Sequence, residues 1–162
     1  MAENTETSRS AGYELTITRT FDAPVSLVFQ IWRERDHMQQ WLGPAGFTCT
    51  SLELDFRPGG VWRGCIESER YGASWMGGVY REIVPNERLV FTFAWEDGRD
   101  QPGVQTLVTV SFIERDGKTT QTFHQRPFVH EAARDSHIGG WNECFDRQQQ
   151  YAEGLARRGA RV

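Results

Sequence analysis

The sequence predicts an α+β fold in which a curved antiparallel sheet of about seven strands wraps around one long carboxy-terminal helix, with two short helices between strands one and two. Three observations carry that expectation. The segment from His130 to Leu155 has the period of a one-sided helix, and about eighty residues from Phe47 onward keep a period of two. The turns between these extended runs are too short for parallel crossovers, which need a dozen or more residues.

In chain order, Tyr13 to Phe21 alternates Tyr13, Leu15 and Ile17 against Glu14, Thr16 and Thr18, which is a first strand. Asp22-Ala23-Pro24 then offers a capping carboxylate and a proline to a helix with Val25, Val28, Phe29 and Trp32 on one face. Asp36 and Gln39 start a second short helix whose apolar side is Met38, Trp41 and Leu42, and Gly43-Pro44 ends it. Strands follow over 47–56, 61–68, 74–84, 88–95, 107–115 and 119–125. They are separated by Arg57-Pro58-Gly59-Gly60, Tyr71-Gly72, Pro85-Asn86-Glu87, a loop over 96–103 and Asp116-Gly117. A sheet of this size needs one face covered, and only the last helix is long enough to cover it.

That helix lays Ile138, Trp141, Phe145, Ala152 and Leu155 along one stripe and Glu131, Asp146, Arg147, Gln150 and Glu153 on the other side. Gly139 and Gly140 oppose it at about 1 kcal/mol each. Burial of the four large stripe residues contributes roughly 6–12 kcal/mol and outweighs them. The same two glycines let a backbone or a ligand approach just before Trp141. Arg134, His137 and Gln148 interrupt the stripe, so they either bond to the sheet or face a wetter pocket.

Composition narrows the function. The chain of 162 residues is 38% hydrophobic, 25% charged and 12% aromatic with six tryptophans, so one domain with a large aromatic interior is expected over 12–156. Residues 1–11 read as a disordered tail and 157–162 as a basic one. A net charge of −4 gives no footprint for nucleic acid, and no run reaches the roughly 18 apolar residues of a membrane span. Cys49, Cys65 and Cys144 are odd in number and widely spaced, which suggests neither a disulfide framework nor a zinc site and fits a reducing cytoplasm. No metal motif, nucleophile elbow or phosphate loop occurs, and no cofactor is expected.

Several stretches together resemble the START-like, or SRPBCC, superfamily with its helix-grip fold, and within it the family named after activators of the ATPase of heat-shock protein 90. They are TRTFDAPVSLVFQIW at 18–32, Trp41-Leu42-Gly43-Pro44, DFRPGG at 55–60, GVYREIVPNERLVFTF at 78–93, FHQRPF at 123–128 and RDSHIGGWNECFDR at 134–147. The resemblance spans about residues 13–155 and implies a hydrophobic small molecule held between sheet and helix. It brings no shared catalytic set. Similar sequences usually have leucine after the DR of the last helix; here Gln148 puts an amide on the inward stripe, which favours a ligand with a polar centre.

The ligand-binding set expected from the residues is Trp41, Trp62, Trp75, Tyr80, Phe91, Phe93, Trp95, Arg134, His137, Trp141, Phe145 and Gln148. Trp75 and Tyr80 have opposite parity and both face inward only if Gly77-Gly78 forms a bulge. Among His37, His124, His130 and His137, the last is the sharpest candidate for proton transfer, with Tyr80 beside it; Cys144 borders the stripe but has no evident base. The leading expectation is therefore binding of a small aromatic or polyketide-like molecule for transport, sequestration or natural-product self-resistance. A cyclase or hydrolase in the same cavity and a co-chaperone-like protein-binding module are the alternatives.

Overall fold

Alternation of apolar and polar residues builds one sheet, and the long helix closes its inner face. The computed structural model describes residues 5–9, 13–96 and 105–159. Its elements are β1 (Thr5–Arg9), β2 (Leu15–Phe21), α1 (Val25–Arg33), α2 (Arg35–Met38), β3 (Thr48–Leu54), β4 (Val61–Ser68), β5 (Gly72–Val84), β6 (Arg88–Trp95), β7 (Thr106–Arg115), β8 (Lys118–Arg126) and α3 (Glu131–Arg157). The strand order is β1-β2-β8-β7-β6-β5-β4-β3, antiparallel throughout. The expected meander is there, and β2 adds to its β8 edge with Leu15 opposite Gln125 and Phe21 opposite Thr119. This is the helix-grip arrangement.

One strand more than expected is present. β1 pairs with β2 inside the segment read as a disordered tail, because β2 offers a free ladder edge and Thr7 comes opposite Ile17. The rest of that tail, residues 97–103 of the expected loop and residues 160–162 of the basic tail lie outside the described residues.

Gly77-Gly78 makes no bulge. The ladder to β4 passes through both, Gly77 opposite Arg63 and Gly78 opposite Trp62, and the irregularity in β5 falls between Tyr80 and Glu82 on its β6 side. What the glycines allow is close approach: a Cβ on Gly78 would stand 1.8 Å from the Thr92 carbonyl oxygen. Parity is therefore kept, with Ser74, Met76 and Tyr80 buried on one face and Trp75 on the other.

The helix starts also differ from expectation. Asp22 does not cap α1; Glu114 from β7 does, accepting from the Val25 N–H at 2.7 Å, while the Asp22 N–H donates to Glu153 Oε2 of α3. Nor does Asp36 cap α2, whose N-cap is Glu34 with no side-chain bond. At α3 the cap is His130, whose Nδ1 accepts from the Ala133 N–H at 3.0 Å.

Trp32 of α1 is the centre of the core. Its ring lies against Trp41, Phe91, Phe123 and Phe145, and its indole N–H donates to Gln121 Oε1 at 2.8 Å. α1 thus fills one end of the space between sheet and α3 with side chains. Arg19 of β2 ties α3 to that end, 2.8 Å from Asp146 and 3.1 Å from the Asn142 carbonyl oxygen. The other end stays open.

Candidate functional site

At that open end a cleft of about 490 Å³ lies between the first half of α3 and the far part of the sheet. Its sheet wall is Ile66 from β4, Ser74 and Met76 from β5, and Phe93 and Trp95 from β6; its helix wall is Ser136, His137, Gly140, Trp141 and Cys144. The loop from Leu42 to Phe47 and Tyr71 of the β4–β5 turn close the sides. The sequence folds this way because β5 and β6 keep strict alternation here, and because Gly140 removes a side chain where the helix would otherwise fill the gap. A Cβ there would meet nothing within 4 Å.

Of the expected ligand set, Phe93, Trp95, His137 and Trp141 line the cleft. The others are elsewhere. Trp41 is fully buried with its N–H on the Ile31 carbonyl, and Trp62 donates to the Thr92 carbonyl at 3.0 Å. Tyr80 and Phe91 pack with Trp62 around a void of only about 10 Å³, and Phe145 packs on Phe123 and Trp32. Arg134 is held beside Glu131 and Asp135 on its own helix. Trp75 lies on the other face, 3.8 Å beneath the Arg63 guanidinium, which in turn grips Glu96. A bulge would have been needed to bring it in.

Gln148 does not line the cleft either. Its amide pairs reciprocally with Gln121, Nε2 of Gln121 donating to Oε1 of Gln148 at 3.0 Å and Nε2 of Gln148 donating back at 3.2 Å. The polar centre inferred for the ligand is met by the protein's own strand. A second amide, Gln125, accepts the Trp141 indole N–H at 2.8 Å and donates to Thr106 Oγ1, which donates to the Phe93 carbonyl. That chain fixes two aromatic walls of the cleft relative to each other.

Of the cleft residues outside the expected set, five come from loops and turns, Leu42, Gly43, Pro44, Phe47 and Tyr71, and the rest from strands or α3. Pro44 and Tyr71 belong to no periodic segment, so parity says nothing about them, and Phe47, the first residue of the expected strand 47–56, falls just before β3. Met76 and Ser74 share Tyr80's parity and were legible once the bulge was set aside. Gly140 carried its own signal, the doubled glycine.

The chemistry of the cleft is quiet. His137 Nδ1 lies 2.7 Å from the Ala133 carbonyl oxygen and Nε2 lies 3.0 Å from the Trp95 indole nitrogen. An indole only donates, so Nε2 accepts and Nδ1 carries the proton; the lone pair a base would use is engaged. Cys144 accepts from the Gly43 N–H and donates to the Trp41 carbonyl, and burial pushes its thiol up to about 12. Burial, and then the Asp55 charge, push the Tyr80 phenol well above its ordinary value. His37 bonds the Tyr151 hydroxyl, His124 bonds Glu14, and His130 caps α3, so these three serve structure. Among the described residues no group of histidines, cysteines and carboxylates is arranged to hold a metal ion.

Comparison with known proteins settles the family. The family model described as "Activator of Hsp90 ATPase homolog 1-like protein" matches residues 22–153. The chain belongs to that family. It shares the fold of other solved structures at low identity. A protein from Chromobacterium violaceum is 23% identical, with a TM-score of 0.76 over 86% of this chain and 97% of its own. The AHSA1 protein from Silicibacter pomeroyi is 22% identical, with a TM-score of 0.76 over 90% of this chain and 99% of its own. One from Arthrobacter aurescens is 18% identical, with a TM-score of 0.80 over 94% and 93%. No curated protein matches. As an activator-homologue-like chain of START/SRPBCC type, it has no helix among the described residues long and apolar enough to cross a membrane.

Proposed function

We propose that this chain binds a small, largely apolar, ring-containing molecule in the cleft between α3 and the β4–β6 part of the sheet. The observation that carries the reading is a hollow of about 490 Å³ walled by Phe47, Met76, Phe93, Trp95 and Trp141 and left open by Gly140. Ligand sites are typically of roughly 300–1,000 Å³, mostly apolar, with a few placed polar groups. Here the polar groups are Ser74, Ser136 and His137. Transport or sequestration of an aromatic or polyketide-like compound, self-resistance included, suits a site that holds without reacting.

Neither alternative gains an observation. A cyclase or hydrolase needs a free base or nucleophile, whereas His137 and Cys144 both have their reactive atoms engaged. A protein-binding module calls for a continuous apolar patch, whereas among the described residues the exposed large hydrophobics include Val61 on β4 and Ile113 on β7, strands with two others between them, and Tyr13 and Tyr71 in separate turns. Titration with N-phenyl-1-naphthylamine, a neutral dye that brightens in apolar surroundings, tests the proposal. Wild-type protein binds it saturably, and Gly140→Leu, which puts a side chain into the hollow, weakens binding by about tenfold or more. Equal affinity in the two proteins would contradict it.

A further inference from the structure

Two rings at the side of the cleft are held very unequally. Phe47 and Tyr71 come from different turns, both line the cleft, and their planes lie within 4° of parallel with centroids 6.1 Å apart. The Phe47 side is fastened to α3. Arg147 Nη1 lies 2.7 Å from the Gly43 carbonyl oxygen and 3.0 Å from that of Phe47, Glu143 Oε1 accepts from the Ala45 N–H at 3.1 Å, and Cys144 Sγ accepts from the Gly43 N–H at 3.4 Å.

The Tyr71 side is not so fastened. Tyr71 is 66% exposed, its N–H donates to Ser68 Oγ at the start of the turn, and the Arg70 guanidinium stands over its ring at 5.2 Å. Gly72 follows at a φ of +74° with nothing within 4 Å of where a Cβ would be, so the backbone there is both left-handed and uncrowded. One ring is bolted to the helix; its partner sits in a solvent-facing turn, directly before a glycine with a left-handed backbone.

We infer that Tyr71 is the moving half of an aromatic gate that closes on Phe47 and governs how fast a ligand enters and leaves the cleft. The inference rests on the ligand-binding reading above. In the closed state the two rings cover the side of the hollow; when Tyr71 swings about Gly72, the fixed Phe47 edge becomes the lip over which a flat molecule slides in. A gate acts on passage in both directions, so it changes the two rate constants together and the affinity less.

Stopped-flow mixing of the full chain with N-phenyl-1-naphthylamine tests this. Tyr71→Ala raises the association and dissociation rate constants together, each by about fivefold or more, and Tyr71→Phe, which keeps the ring, restores the slow rates. A Tyr71 that merely contributes contact area would instead raise dissociation alone and weaken affinity in proportion, which overturns the gate. Rates for Tyr71→Ala within about twofold of wild type also overturn it while leaving the ligand reading intact. Failure of the wild-type protein to bind the dye overturns both.

Discussion

Gln148 and Gln121 face each other between α3 and β8 with no water to fall back on, both at 1% exposure or less. Each amide satisfies the other, and Trp32 adds a third bond. Replacing one amide by a hydrocarbon leaves its partner buried and unsatisfied, which costs about 1–3 kcal/mol. Gln148→Leu is therefore expected to lower the unfolding free energy by that amount, read from the shift of the urea midpoint at unchanged slope, while leaving dye affinity unchanged, since Gln148 does not line the cleft. A stability equal to wild type, or a lost affinity, would show that the pair is not what holds this residue. Cys144 makes a parallel case. Its thiol is raised to about 12 by burial, and Cys49 is raised for the same cause, so neither offers thiolate at mildly alkaline pH. Iodoacetamide should leave both untouched in the native protein and label them only after denaturation. Rapid native labelling of Cys144 would reopen a nucleophilic role.

Glycines separate the elements that need room from those that do not. Gly78 lies where β6 crosses so closely that any Cβ would overlap the Thr92 carbonyl, whereas Gly139, in the interior of α3, has open space around it. Gly78→Ala should cost about 3 kcal/mol or more by forcing two strands apart, while Gly139→Ala should stabilise by roughly 0.5–1 kcal/mol through helix propensity alone. Thermal or urea melts give both signs directly. At this scale the sequence was most legible. β4 and β6 match their expected bounds, and α3 is displaced by one or two residues, because strong periodicity leaves one solution. Failures came where a partner distant in the chain decided the outcome. Glu114, not Asp22, caps α1, and β1 forms because β2 has an edge to share. No local pattern contains either fact.

The whole molecule divides the space under its sheet between two tenants. α1 and its Trp32 fill one end solidly; the α3 half that carries Gly139 and Gly140 leaves the other end hollow. Sequence reasoning expected aromatic rings around a cavity running beside α3, and four of the twelve residues named for it do line the cleft. Of the remainder, Trp75 lies on the outer face, Arg134 pairs along its own helix, and the other six are buried in the core; burial alone cannot tell a ring that packs against rings from one that faces a gap. Three indoles among the six tryptophans illustrate the point: Trp32, Trp41 and Trp62 are buried with their N–H groups satisfied inside the core. The most direct measurement is therefore a titration of ¹⁵N-labelled protein with N-phenyl-1-naphthylamine followed at the indole N–H resonances. The account predicts that Trp95 and Trp141 shift and saturate together while Trp32, Trp41 and the outward Trp75 stay in place. Shifts centred on Trp75, or none at Trp95 and Trp141, would contradict it.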